Sequence, residues 1–276
     1  MSSLDVLDKL QTEAIKEEKK SSTKKFKYNF DKLKMYFGED YEVKGIKISM
    51  PTIGDILRIG ENVFYQALAP FLYNSTSIRA ALWDLNIDWN DVRDIEVFGF
   101  LIKNVKNTEP LSLIFKDVDF TDFIVTSAKR QIEDENYELA LYSESQGILL
   151  YEEEYMEIAE YIREILNVHP KVEKAKGKTT KKWMIQEDKM NIAQLENKNE
   201  NNSTLLPLVS ACINHPGFKY KLEELREMGL YQFMDSVKRI QIYESSIALT
   251  HGSYSGFCDL SKIDKKQFDF MRQIDD

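Results

Sequence analysis

The segment from Glu152 to Pro170 constrains the fold most strongly, because its apolar residues repeat at helical spacing. One face of the predicted helix carries Tyr155, Ile158, Ala159, Ile162 and Ile165, and the His169-Pro170 pair ends it. Similar spacing predicts helices near Leu205–Ile213, Leu222–Met228 and Leu230–Leu249. Only 6 Pro and 11 Gly among 276 residues argue against an all-β sandwich. The chain is therefore expected to be mainly helical.

Shorter segments carry the signs of β-strands. Val43, Ile46 and Ile48 alternate in the stretch YEVKGIKI, which reads as a short strand. The stretches LSLIFKDVDFTDFIV (111–125) and YELALYSESQGILLY (137–151) are also predicted as strands joined by turns, with Ser145–Gly147 as a hairpin connection. The predicted class is α+β, mainly helical, with a small hairpin or sheet in the N-terminal part.

Composition changes along the chain suggest four regions. Residues 1–27 form a charged arm, and residues 28–168 form an N-terminal α+β domain. Residues 169–203 are rich in lysine and asparagine and are predicted to be a linker, with a helix near 183–195. Residues 204–276 are predicted to form a small all-α C-terminal domain.

The charge balance disfavours a general nucleic-acid-binding protein. The chain has 46 acidic and 37 basic residues and a net charge of −9, whereas phosphate neutralisation requires a basic surface. One candidate polyanion contact remains in the lysine-rich segment, at Lys174, Lys176, Lys178, Lys181 and Lys182. Nucleic acid is disfavoured there too, since such lysines are usually only solvated and no interleaved aromatic residues offer base stacking.

The N-terminal residues, the lengths of the apolar runs and the cysteines predict a soluble intracellular protein. The N-terminal residues have no apolar core of the kind found in signal peptides, and no stretch approaches the length of a membrane span. Cys212 and Cys258 lie in apolar or aromatic surroundings, which is typical of buried thiols in a reducing compartment.

Several motifs approach catalytic or metal-binding patterns but fail on spacing. Residues 252–256 read GSYSG, which places Tyr254 where a nucleophile elbow needs serine, so His251 and Gly252 are interpreted as a helix end. The acidic run starting at Asp84 lacks the glycine and the glutamate of a calcium loop. The acidic cluster at 117–122 has no histidine nearby. We therefore expect no catalytic residue, no metal, no cofactor and no enzymatic activity.

The predicted helix 230–249 offers the best candidate protein-binding residues, namely Tyr231, Phe233, Met234 and Tyr243. Exposed aromatic and methionine side chains adapt well to a partner helix. The competing interpretation is that they form the core of the C-terminal domain, and it is favoured for most of them. A domain of about 70 residues needs nearly all its large side chains inside.

Four segments resemble a family of tail-module proteins from tailed bacteriophages of Gram-positive hosts. They are MPTIGDILRIGENVFY (50–65), NIDWNDVRDIEVF (86–98), LLYEEEYMEIAEYIREI (149–165) and GLYQFMDSVKRIQIYESSIALTHGSYSGFCDLSKID (229–264), which together cover 82 of the 276 residues. The resemblance lies in patterns of aromatic and apolar residues.

This resemblance implies a tail assembly chaperone that works in the host cell cytoplasm. Its implied partners are the tape-measure and tail-tube proteins, with self-association as a further option and no membrane contact. Two other functions remain open. One is a structural subunit that stays in the virion, and the other is a nucleic-acid-associated replication accessory protein that uses Lys171–Lys182.

Overall fold

The computed structural model describes residues 26–131, 136–196, 203–256 and 263–274, and it has the predicted mainly helical α+β fold. The helices are α1 (Lys32–Tyr36), α2 (Ile53–Ile59), α3 (Glu61–Leu72), α4 (Arg79–Asp84), α5 (Asp94–Ile102), α6 (Glu109–Phe115), α7 (Glu152–Leu166), α8 (Lys178–Glu196), α9 (Leu205–Asn214), α10 (Leu222–Glu227) and α11 (Leu230–Tyr254). Short 3₁₀ turns lie at Trp89–Asp91, Phe120–Asp122 and Lys265–Phe268. The strands are β1 (Tyr41–Val43), β2 (Ile46–Ile48), β3 (Ile124–Ala128), β4 (Glu138–Ser143) and β5 (Ile148–Tyr151).

Helix α7 lies at the centre of the hydrophobic core, as its apolar spacing predicts. All five residues of the predicted face, Tyr155, Ile158, Ala159, Ile162 and Ile165, are buried. Helix α3 packs beside it and carries Phe71, whose ring contacts those of Phe98, Phe115, Phe120 and Tyr155. Burying side chains of this size contributes about 1.5–3 kcal/mol each, so this aromatic cluster is a main source of stability.

The strands form two small antiparallel sheets. One is the β1–β2 hairpin, which turns at Lys44 and Gly45, both with positive φ. The other has the order β3-β4-β5, and its β4–β5 hairpin turns at the predicted residues 145–147. Gly147 has a φ of 64°, a conformation that glycine adopts without steric cost.

The prediction of a strand at the start of 111–125 is wrong, because Glu109–Phe115 is helix α6. Its buried residues Leu111, Ile114 and Phe115 follow helical spacing, and Pro110 lies in the first turn, where proline is tolerated. The apolar run is too short for its periodicity to distinguish helix from strand. Only Ile124 and Val125 of the predicted segment belong to a strand.

Gly99 allows α5 to lie directly against β3. A Cβ added at this position would be 2.5 Å from Val125 Cγ2, which is closer than two carbon atoms can approach. Ala is favoured over Gly in a helix by about 1 kcal/mol, but overpacking costs about 1–3 kcal/mol. We expect Gly99→Ala to be destabilising by about 1–2 kcal/mol in urea unfolding.

Val125→Ala makes space for the added methyl group. The double variant is therefore expected to be more stable than the sum of the two single variants predicts. The contact between α5 and β3 would be contradicted if the change in the free energy of unfolding of the double variant equalled the sum of the changes for Gly99→Ala and Val125→Ala.

The C-terminal helices share the core of the N-terminal region. Leu205, Cys212, Leu225, Met228, Leu230 and Phe233 are buried in the same hydrophobic cluster as α3 and α7. Pro51 O accepts a hydrogen bond from Leu230 N at 2.8 Å, and Ile53 N donates to Met228 O at 3.1 Å. A Cβ at Gly54 would lie 2.8 Å from Arg226 O, so α2 and α10 touch through their backbones. Residues 204–276 were predicted to build a core of their own; the buried part of this segment instead completes the main core.

Glu61 links the start of α3 to the start of α9. Its carboxylate accepts hydrogen bonds from Thr204 N at 2.8 Å and Leu205 N at 3.2 Å, and also from the hydroxyls of Ser203 and Thr204. The N-terminal N–H groups of a helix lack partners within it, so Glu61 caps α9 from a distant part of the chain. Partial burial raises the pKa of Glu61, but these hydrogen bonds together outweigh burial and leave it lowered.

We expect Glu61→Ala to lower the free energy of unfolding by about 1–2 kcal/mol and to speed amide exchange in α9. Because the folded-state pKa is lowered, the contribution is present above about pH 4.3, the ordinary Glu value, and is lost as pH falls through the lowered pKa. Glu42→Ala, at an exposed strand position, is the control. Equal exchange in both variants would contradict the capping role.

The lysine-rich segment is docked on the rest of the molecule. Ala175 and Ile185 are buried in a second small core together with Leu82 and Trp89. The helix predicted near 183–195 forms as part of α8. Residues 171–192 therefore pack against α4 in place of the predicted linker. Hydrogen bonds and ion pairs from Arg79, Trp89 and Asn90 hold residues 171–192 in place. Because these partners are distant in sequence, no local pattern predicts them.

Candidate functional site

A surface cleft of about 360 Å³ lies between α1, the end of α7 and the first half of α11. We call it the α1–α11 cleft. Its lining residues are Lys32, Leu33, Tyr36, Glu164, Asn167, Tyr231, Met234, Asp235, Lys238, Arg239, Gln273 and Ile274. Two of the four predicted protein-binding residues, Tyr231 and Met234, are among them.

The wall formed by α1 presents apolar side chains to solvent. Asp31 caps this short helix by accepting hydrogen bonds from Leu33 N at 3.1 Å and Lys34 N at 3.2 Å. Only Met35 is buried, whereas Leu33 is 67% exposed and Phe37 is 74% exposed. Leu33 lines the cleft, whereas Phe37 directly follows α1 and lies outside the lining. An exposed apolar side chain at a cleft is typical of a protein-binding surface.

The wall formed by α11 separates the predicted binding residues. Tyr231, Met234 and Lys238 lie three to four residues apart and share the face that lines the cleft. Phe233 points away from this face and is fully buried in the core. A partner therefore cannot reach Phe233, and the core interpretation is correct for this residue. Tyr243 lies further along α11, where its ring packs edge-on against Phe270 at 5.7 Å.

Charged groups of both signs surround the apolar lining. Lys32 Nζ is 3.3 Å from Glu164 Oε1. Arg239 Nη1 donates to Phe270 O at 2.8 Å and Arg272 O at 2.9 Å, so it holds the C-terminal segment against α11. Partial burial raises the pKa of Tyr36, which stays neutral at physiological pH. The described lining residues include no histidine, cysteine or serine. Such a lining suits binding of an apolar side chain from a polypeptide.

The predicted polyanion contact is only partly maintained. Lys174, Lys176, Lys178 and Lys182 are exposed. Lys181 is half-buried, forms an ion pair with Asp88 and lies 5.5 Å from the centre of the Trp89 ring. Four of the five predicted lysines thus face solvent, and the fifth anchors α8.

The residues of the incomplete catalytic and metal-binding motifs have structural roles in the fold. His251 is exposed in the last turn of α11, which continues two residues past the predicted end at Gly252 and ends at Tyr254. Asp88 caps a 3₁₀ turn, and Asp122 accepts hydrogen bonds from Ser143 and Ser145. No cluster of three metal-ligating side chains occurs among the described residues. Cys212 is buried as predicted, and Cys258 lies outside the described residues.

Comparison with protein-family profiles, curated protein sequences and solved structures gave no match. In the described part of the chain, every helix is too short or too polar to cross a bilayer. Of the cleft lining, the sequence predicted only Tyr231 and Met234. The lining residues of α1, which are Lys32, Leu33 and Tyr36, were missed because a helix of five residues has no detectable periodicity.

Proposed function

We propose that this chain is a non-enzymatic tail assembly chaperone of a tailed bacteriophage and acts in the host cell cytoplasm. Its proposed partners are the tape-measure and tail-tube proteins. The observation that carries the proposal is the α1–α11 cleft, where Leu33 stands exposed beside Tyr231 and Met234. A chaperone of long helical polypeptides needs accessible apolar surface with charged groups around it.

Two of the four segments that resemble tail-module proteins contribute to this cleft. Residues 149–165 include most of α7 and supply Glu164, and the segment 229–264 contains α11, which supplies its whole wall of the cleft. Residues 50–65 form α2 and the start of α3, to which the chain beside α11 is hydrogen-bonded. The resembling segments 50–65 and 86–98 supply no lining residue of the cleft.

The test is co-purification of the full chain with the tape-measure and tail-tube proteins of the same tail module. We expect Leu33→Asp to reduce recovery of the partner by about tenfold, because it places a charge on exposed apolar binding surface. Leu57→Asp is a matched control, since Leu57 is 63% exposed on α2 and does not line the cleft. Both variants should melt at the temperature of the original chain.

Mass spectrometry of purified virions distinguishes the proposal from the structural-subunit alternative. A chaperone should be absent from finished particles, whereas a structural subunit should be present in stoichiometric amount. Equal loss of partner in both aspartate variants would contradict the role of the cleft.

A further inference from the structure

Helix α8 is held in a fixed position by polar anchors on α4 and its neighbours. Arg79 is 6% exposed and binds both carboxylate oxygens of Asp188, at 2.5 and 2.7 Å, and Glu173 at 2.6 Å. Trp89 Nε1 donates to Glu173 O at 2.9 Å, and Asn90 Nδ2 donates to Ala175 O at 2.7 Å. The segment 171–192 is therefore a fixed scaffold for the side chains that it presents.

These anchors pair three nearby carboxylates, and the surface formed by residues 174–182 is basic. Glu173 and Asp188 both bind Arg79, and Asp88 pairs with Lys181. The remaining lysines, Lys174, Lys176, Lys178 and Lys182, are exposed and have no ion pair among the described residues. The chain as a whole has a net charge of −9, whereas this lysine cluster is locally positive.

An apolar groove of about 420 Å³ runs between α4 and α8, beside the lysines. We call it the α4–α8 groove. Its lining residues are Trp83, Asp84, Lys182, Ile185, Gln186, Lys189, Met190 and Ala193. Met190 is 56% exposed, and Trp183 on the same helix is 70% exposed. Exposed tryptophan and methionine side chains are typical of protein-binding surfaces.

The combination of apolar lining and basic rim defines the chemistry of the ligand. An apolar stripe at helical spacing fits the groove between two helices, and carboxylates beside that stripe complement Lys178 and Lys182. Single-stranded nucleic acid is the competing ligand, since Trp183 is exposed directly after Lys182, and the oligothymidine probe distinguishes it from an acidic helix. The apolar groove between two helices favours the acidic helix.

We propose that the α4–α8 groove and its lysines bind an acidic amphipathic helix of a partner protein. The surface shares no residue with the α1–α11 cleft. Its test is therefore independent of the proposed chaperone function.

The test measures fluorescence anisotropy of three labelled probes with the full chain. The first probe is a designed helical peptide with leucine at core spacing and glutamate elsewhere. The second is the same peptide with lysine for glutamate, and the third is an oligothymidine strand. We expect the glutamate peptide alone to bind, and more weakly as salt concentration rises.

Matched variants locate the binding site. Lys178→Glu with Lys182→Glu is expected to weaken binding of the glutamate peptide by about tenfold or more. Lys106→Glu with Lys219→Glu changes the net charge equally at exposed sites outside the groove, and it should change binding less than about twofold.

Met190→Ala tests the apolar contact, and we expect it to weaken binding of the glutamate peptide without altering the melting profile.

Three outcomes would overturn the proposal. They are no binding of the glutamate peptide, equal weakening by the two charge-reversed pairs, or preferred binding of oligothymidine.

Discussion

Arg163→Ala is expected to lower the free energy of unfolding by about 3–5 kcal/mol, as for other buried ion pairs that lose one partner. The Arg163 side chain is almost fully buried and is 2.9 Å from Asp94 Oδ2. It also donates to Phe71 O at 3.0 Å and Tyr73 O at 3.4 Å at the end of α3. In the variant, the carboxylate of Asp94 loses its cation, and the carbonyl oxygens of Phe71 and Tyr73 lose a hydrogen-bond donor.

Arg130→Ala is the control for this prediction. Arg130 also contacts two carboxylates, Glu138 and Glu153, each at 3.0 Å, but its side chain is 38% exposed. Solvent screening limits such pairs to about 1 kcal/mol or less. Urea unfolding of both variants should show the difference directly, and equal losses would contradict the importance given to burial.

The pH dependence of Arg163→Ala gives a second measurement. Burial raises the pKa of Asp94 while the Arg163 guanidinium opposes that rise. A raised folded-state pKa means that the contribution of Asp94 is present below about pH 4, the ordinary Asp value, and is lost as pH rises through the folded-state pKa. Without Arg163 the pKa rises further, so the deficit of the variant should be smaller at pH 5 than at pH 7.

Phe71→Ala is expected to lower the free energy of unfolding by about 3–5 kcal/mol, the range measured for large buried aromatic residues. Phe71 is fully buried, and its ring centre lies 5.2 Å from those of Phe98 and Phe115 and 5.1 Å from that of Phe120. These rings come from α5, α6 and the following 3₁₀ turn, so the cavity affects three elements together.

Phe100→Ala is the matched control, since Phe100 is 44% exposed on α5. We expect a loss of about 1 kcal/mol or less for this control. Thermal and urea unfolding should agree on the order of the two variants. A Phe71→Ala protein as stable as Phe100→Ala would contradict the central position of the aromatic cluster.

The sequence predicts those elements whose burial follows a local period. The five apolar residues that share one face of helix α7 are all buried, so this face was predictable, whereas the burial of Tyr161 and Arg163 was not. Helix α6 is a counterexample, because seven residues that begin with Glu109-Pro110 contain too few turns for periodicity to decide. Its helical form depends on packing against α3 and β2, which are distant in sequence.

The candidate cleft was only partly predictable, for a related reason. Tyr231, Phe233 and Met234 are close neighbours on α11, and helical geometry shows that they cannot all share one face. The sequence does not indicate which face meets the core. The packing of α11 on the rest of the molecule decides this, since Phe233 is buried in the hydrophobic core and Tyr231 and Met234 line the cleft.

The lysine-rich segment shows the limit of reading composition alone. Its many lysines and few apolar residues are typical of a solvated linker, yet Ala175 and Ile185 are buried. The interactions that hold it involve Arg79, Trp89 and Asn90, about 85–110 residues earlier in the chain. Such polar pairing over long sequence distances has no local signature.

The most direct test of the central claim is photocrosslinking from the cleft during tail assembly. A photoreactive amino acid replaces Leu33, which is exposed at the cleft, and a second chain carries it at Leu57 as control. We predict crosslinks from position 33, but not from position 57, to the tape-measure or tail-tube protein, identified by mass spectrometry. Crosslinks from neither position while tails assemble normally would contradict binding at the cleft.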